Sequence, residues 1–251
     1  MSQIDELIKS SRKVILDCIL PNGAIVAANS KKKYFPKGAK NYFYVWPRDG
    51  FFILRAGKIL GIKGLEKFFS WCMKAEGWNK TGLFYEKYFV NGKKAKPNLQ
   101  PDQTGIILMA LHETFGNDIP KRFIPLLEKS TKGLLKIWEK KKFTKVTQDL
   151  WEERYCFPDM DNGFTYSLAI CAKGLRCAHE VLKDKKLIST AKSMEDVVLK
   201  SSEDYFYRAI GKFPDKRIDS SLYGLVWPAE LVLADNKRMR KTVELIEEKL
   251  T

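Results

Sequence analysis

Nowhere in these 251 residues does an apolar run approach the roughly 18 residues that a membrane-spanning helix needs, which argues against a membrane partner. Histidine is scarce: His112 and His179 are the two copies, both within helical patterns and neither spaced with Cys or carboxylates as metal ligands are. The five cysteines (Cys18, Cys72, Cys156, Cys171 and Cys177) are odd in number and also lack ligand spacing. Cys72, Cys171 and Cys177 sit in apolar helical patterns and read as small reduced hydrophobes. No metal and no cofactor is expected. The chain contains no G-x-S-x-G elbow, no Walker A loop and no dinucleotide fingerprint. Acidic residues are in deficit, 30 against 45 Lys and Arg, for a net charge of +15. That charge permits nucleic-acid binding. However, the lysines are scattered, as at Lys31–Lys33, Lys93–Lys96 and Lys140–Lys142, with no RNA-binding or zinc-finger motif beside them. They read as a solvated surface, and no nucleic-acid partner is expected. The start, MSQIDELIKSSRK, is charged throughout and unlike a signal peptide, so the expected location is cytoplasmic.

At 45% hydrophobic, the composition suits a globular protein with a substantial core, and one domain over residues 1–251 is expected. Helical periodicity dominates. It predicts helices over 3–19, 50–60, 64–76, 103–115, 119–138, 163–183, 187–200 and 238–250, with a weak one around 220–233. In the first, Ile4, Leu7, Ile15 and Cys18 share a face. Helices near 50, 103 and 163 are apolar nearly all round and carry small residues such as Gly105, Ala110, Ala169 and Gly174. Those near 64, 119, 187 and 238 are amphipathic and lysine-rich. The first kind predicts inner helices, the second an outer layer. GLFYEKYFVNGKKA alternates around Asn91-Gly92 and reads as a hairpin.

Each inner helix follows a loop rich in aromatics and charges: YVWPRD, LQPD and DLWEER, with KRIDSSLYGL as a fourth instance. Loops that enter the same ends of a ring of helices converge on one cleft. Helix N-termini there offer free N–H donors to oxygen-rich ligands. In DLWEER, Glu152 and Glu153 cannot both point one way on a regular element. One can face a cleft while the other pairs with an Arg. A glutamate shielded beside Trp151 would have a raised pKa, as a general acid needs. The plainer alternative is an exposed acidic helix start, or an ion pair with Arg154. Arg48–Asp49 reads either as a pair gripping a polyhydroxylated ligand or as a capping aspartate with an incidental Arg. Gln100 and Asp102 could equally cap the helix at 103.

Taken together and in order, LPNGAIVAA (20–28), YFYVWPRDG (42–50), LQPDQTG (99–105) and DLWEER (149–154) closely resemble the glucoamylase family, glycoside hydrolase family 15. The resemblance runs from about residue 12 to the end of the chain. It implies an all-α fold of the (α/α)6-barrel type, with short β-hairpin insertions and an active site at one end. It also implies hydrolysis of α-glucosidic bonds in oligo- or disaccharides with inversion at the anomeric carbon. By resemblance, Glu152 matches the general acid and Glu153 a substrate-binding carboxylate beside it. Arg48 and Asp49 match the pair holding sugar hydroxyls in the terminal subsite. Trp46 matches an aromatic of that subsite, Tyr42 the tyrosine near the attacking water, and Trp151 the leaving-group side. Gln100 and Asp102 match further substrate-binding positions.

The pattern departs from the family at its C-terminal end. Inversion requires a base roughly 6.5–9.5 Å from the acid across the sugar. The family's base glutamate lies well beyond DLWEER. The sequence shows about nine candidate helices where the family's barrel has twelve, and the late carboxylates Asp219, Glu230 and Glu247 lack the base context. A truncated, split or divergent protein is expected. Its open barrel edge would take a complementary chain or form a homo-oligomer. A non-catalytic glucan-binding remnant and an assembly subunit remain the alternatives to an enzyme.

Overall fold

Ser2 opens the first helix with a reciprocal cap: its Oγ accepts from Asp5 N–H at 3.2 Å, and the Asp5 carboxylate accepts from Ser2 N–H at 2.9 Å. The computed structural model describes residues 2–201 and 203–250. Helix α1 runs over Gln3–Cys18, α2 over Pro47–Ile59, α3 over Lys67–Cys72 and α4 over Trp78–Thr81. Helix α5 spans Pro101–Phe115, α6 Ile124–Ile137, α7 Thr165–Leu182, α8 Lys185–Lys200 and α9 Lys237–Leu250. Among the described residues this makes nine α-helices, which is the expected number but not the expected set.

Two expectations shift. The helix expected over 64–76 is helical only at Lys67–Cys72, because the amides of Lys74 and Ala75 turn to acceptors three residues back. The weak helix around 220–233 is a 3-10 turn over Ser220–Leu225. Asp219 caps it by accepting from Ser221 N–H at 2.8 Å, and Pro228 cannot carry a helix onward.

The inner helices are α2, α5 and α7. Helix α5 is buried continuously from Pro101 to Leu111, and α7 along most of its length to Ala178. They approach through glycine. A Cβ on Gly105 would lie 2.8 Å from Cys171 Cα, and one on Gly174 would collide with the Gly105 carbonyl. All three run in the same direction: Arg48, Asp102 and Ser167 meet at their N-terminal ends, and Arg55 pairs with Glu113 towards their C-terminal ends. At that far end, a cavity of about 450 Å³ is lined by Arg55, His112, Glu113, Lys173 and Glu230. Amphipathic α6 and α8 lie outside, giving Leu126, Leu127, Leu187 and Met194 to the core.

Helix α1 forms as expected, but most of its apolar face is uncovered. Cys18 is buried, whereas Ile4 and Leu7 are 69% and 66% exposed. All five cysteines are buried and unpaired.

Four two-stranded antiparallel sheets link the helices. Strand β1 (Tyr85–Tyr88) pairs with β2 (Lys94–Leu99) around Gly92, which has φ of +85°, in the hairpin that the alternation predicted. Strand β3 (Trp138–Glu139) pairs with β4 (Lys142–Phe143), and β7 (Gly163–Phe164) with β8 (Ala209–Ile210). Strand β5 (Thr147–Gln148) pairs with β6 (Tyr155–Cys156), and the loop between them is DLWEER. Among the described residues no helix is long and apolar enough to cross a membrane.

Candidate active site

Helices α2 and α5 begin alike. Each has Pro at its first helical position after an extended residue, Trp46 or Gln100, and neither of these side chains caps the helix. A donor is therefore left free at each start, and the neighbouring helix supplies one acceptor: Arg48 N–H donates to Gln103 Oε1 at 2.6 Å. The Arg48 guanidinium turns inward. Its Nη1 donates to Asp102 Oδ2 at 2.6 Å and Gln100 Oε1 at 3.2 Å, and its Nη2 to the Leu150 carbonyl at 3.1 Å. Ser167 Oγ, from the start of α7, donates to the other Asp102 oxygen at 3.2 Å. Gln100 Nε2 donates to the Asp149 carbonyl at 2.8 Å.

Gln100 and Asp102 are each 0% exposed and hold Arg48 from beneath. Asp49 is not a helix cap, since Trp46 occupies that position. Asp49 is half-buried, and among the described residues its carboxyl bonds to no other side chain. Burial pushes its pKa up, Arg48 pulls it down, and Glu152 adds to the rise.

DLWEER is a hairpin loop, which removes the helix-start alternative. Asp149, 1% exposed, organises it: Oδ1 accepts from Glu153 N–H at 2.9 Å and Arg154 N–H at 3.2 Å. Glu152 adopts φ of +64°, in the left-handed region that non-glycine residues seldom occupy. That twist sends the two glutamates apart. Glu152 Oε1 accepts from Trp46 Nε1 at 2.6 Å, and Oε2 from Lys87 Nζ at 3.2 Å. Glu153 turns to Arg208 at 3.3 Å, not to Arg154. Arg208 also pairs with Asp149, and its Nε lies 3.0 Å from Asp219 Oδ2. Trp151 Nε1 donates to Asp219 at 3.0 Å while its ring is 46% exposed. Tyr42, 44% exposed, sits 6.0 Å from the Trp46 ring.

The electrostatics differ from the expected raised glutamate. Burial acts to raise the Glu152 pKa, but hydrogen bonds from Glu86, Trp46 and Lys87 outweigh it and hold the carboxyl below its ordinary value. Its neighbour Glu86, 2% exposed on β1, is pushed up by burial and by Glu152.

The fourth loop joins the cluster through Asp219, but of the two foremost late carboxylates neither is free. Asp219 is held by Arg208, Trp151 and Ser221. Glu230 pairs with Lys173 at the far end of the inner helices. Of the positioning residues, Gln103 and Asp149 lay inside motifs already singled out, and Glu86 and Lys87 lay in the hairpin. Arg208 carried no sequence signal.

Parallel inner helices inside an amphipathic layer, with polar loops gathered at the inner N-termini, define an (α/α)6-barrel of the glucoamylase type, present here as part of the ring. Solved structures share that fold. A bacterial glucoamylase complexed with acarbose matches 91% of this chain and 37% of its own, at 17% identity and a TM-score of 0.71. A glycosidase variant in complex with glucose matches 99% and 71%, at 15% identity and a TM-score of 0.71. The chain belongs to glycosyl hydrolases family 15, whose model matches residues 8–200. An uncharacterized glycosyl hydrolase of Methanocaldococcus jannaschii is 31% identical over 98% of this chain, which spans 40% of that relative.

Proposed function

We propose that the protein acts on α-linked glucosides by inverting hydrolysis, with Glu152 as the general acid. The observation that carries this reading is the place of Glu152. It is held between the Trp46 indole and Lys87, on the loop that also meets Arg48 at the inner-helix N-termini. Glu152 gives a proton to the glycosidic oxygen as the bond to the anomeric carbon breaks, and water attacks from the opposite face. Asp49, whose oxygens are not engaged by another side chain among the described residues, accepts from sugar hydroxyls, while Arg48 donates from its remaining N–H groups. Trp46, Tyr42 and Trp151 supply aromatic faces, and Glu153 lies at the rim. The glucose and acarbose in the related structures support a glucose-like ligand.

A second reading, a glucan-binding or assembly subunit without its own base, is favoured by one observation. Asp219 and Glu230, the late carboxylates best placed by sequence, are both occupied in ion pairs. The uncovered apolar face of α1 supports a covering chain, either a second copy or a complementary one. Product release from a panel of maltose-like, isomaltose-like and trehalose substrates decides between the readings. Hydrolysis lost in Glu152→Gln supports the enzyme, and saturable glucose binding without turnover supports the binding subunit.

A further inference from the structure

Glu86 is an unexpected residue to find beside the candidate acid. It is a carboxyl 2% exposed to solvent on the inward face of a short hairpin strand. Its Oε2 accepts from Asn98 Nδ2 at 2.7 Å across the hairpin, and its Oε1 lies 3.3 Å from Lys87 Nζ. The same ammonium reaches Glu152 Oε2 at 3.2 Å. Its main chain is fixed from α5, where Gln103 Nε2 donates to the Glu86 carbonyl at 3.1 Å. A single ammonium thus stands between two carboxyls. Two anions that share one ammonium at a partly buried site repel, so one cation favours one proton shared between them.

We propose that Glu86 is a positioning residue that stores the proton which Glu152 delivers to the leaving group. The inference rests on the assignment of Glu152 as the acid. The free-state geometry creates the need for such a store. Trp46 N–H and Lys87 stabilise Glu152 as an anion, a form that cannot protonate anything, while Glu86, 2% exposed against 27% for Glu152, is the member that burial pushes up and so holds a proton more readily. When substrate displaces the Trp46 or Lys87 contact, the proton passes from the Glu86 carboxyl to Glu152. Glu86 is left as a carboxylate against Lys87 and Asn98. Glu152 then gives that proton to the glycosidic oxygen as its bond to the anomeric carbon breaks. Water supplies the hydroxyl to that carbon, and the proton it gives up returns to the pair through solvent. The charged and titratable groups facing the pair are Lys87 on β1 and Asp49 on α2, with Tyr44 reached through Lys87.

The test is a carboxyl titration of the full chain labelled with carboxyl-¹³C glutamate, followed by NMR for wild type, Glu86→Gln and Glu152→Gln. The expected result is a coupled pair in wild type, one member titrating above the ordinary glutamate range. In Glu86→Gln the Glu152 resonance titrates alone, in a single step. In Glu152→Gln the Glu86 resonance falls back by about one pH unit or more. Two independent, ordinary titrations unmoved by either substitution would overturn the proposal. Should Glu86→Gln fail to fold, Glu152→Gln changes a side chain at the edge of the pair, 27% exposed, and reads the same coupling from Glu86. Where the chain hydrolyses a glucoside, the alkaline limb of kcat/KM in Glu86→Gln moves to lower pH. A merely structural role would lower rate with the limb unmoved. Coupling without hydrolysis removes the enzyme reading, and with it the delivery to a leaving group, and leaves only a shared-proton pair. Hydrolysis without coupling removes the proton store alone.

Discussion

The indole N–H of Trp46 donates to Glu152 Oε1 at 2.6 Å, joining residues 106 positions apart in the chain. The bond ties the start of an inner helix to a hairpin loop, and with Glu86 and Lys87 it holds the Glu152 carboxyl below its ordinary pKa.

Glu152→Gln keeps the shape and can still accept from Trp46, but it has no acidic proton. Turnover of an unactivated glucoside is expected to fall about 10²–10⁴-fold while sugar binding survives. Steady-state kinetics alongside inhibitor titration checks both. Unchanged turnover refutes the assignment.

Asp49→Asn separates ligand binding from folding. Because Asp49 does not cap α2, little stability should be lost, while affinity for glucose-like inhibitors falls by on the order of 2–4 kcal/mol. The pH dependence has a definite sign. The folded-state pKa is raised, so the stability linked to this group is greatest below its unfolded pKa and falls as pH rises through the folded value. Urea midpoints at about pH 4 and about pH 7 should therefore differ less in Asp49→Asn than in wild type.

Asp102→Ala is expected to do the opposite, damaging the fold before the ligand. The side chains of Arg48 and Asp102 are 11% and 0% exposed, so removing the carboxylate strands a buried guanidinium. The cost should be about 3–5 kcal/mol, read by urea unfolding. A purely ligand-binding aspartate would leave the midpoint in place.

Gly174→Ala puts a methyl against the Gly105 carbonyl where α5 and α7 touch. A loss of about 1–3 kcal/mol in thermal or urea unfolding follows from the overpacking. Ala169→Gly in the same helix creates no such collision and should cost only about 1 kcal/mol, from helix propensity.

Arg208→Met removes the cation shared by Asp149, Glu153 and Asp219. The DLWEER loop should loosen, raising KM and exposing the loop to proteolysis. Intact loop protection would show that the Asp149 bonds to the Glu153 and Arg154 amides suffice alone.

Much of this protein was legible in the chain itself, because local physics set it. The apolar, small-residue helices α5 and α7 could only be inner helices. The Asn91-Gly92 turn announced itself, and the loops before the inner helices were rich in charge and indoles. What the sequence could not say is which way each polar side chain would turn. Arg48 points down to Asp102 because Gln100 and Leu150 offer its guanidinium further acceptors from two other segments. Glu152 and Glu153 diverge because a left-handed residue in a hairpin loop parts them. Glu152 lies below its ordinary pKa because Glu86, Trp46 and Lys87 arrive from distant segments. Arg208 had no local signature, since its three partners lie on two loops that only the packing of α7 against the Ser220–Leu225 turn brings together. Periodicity and turn chemistry are properties of neighbours along the chain, whereas the charge state of a buried carboxyl is set by neighbours in space.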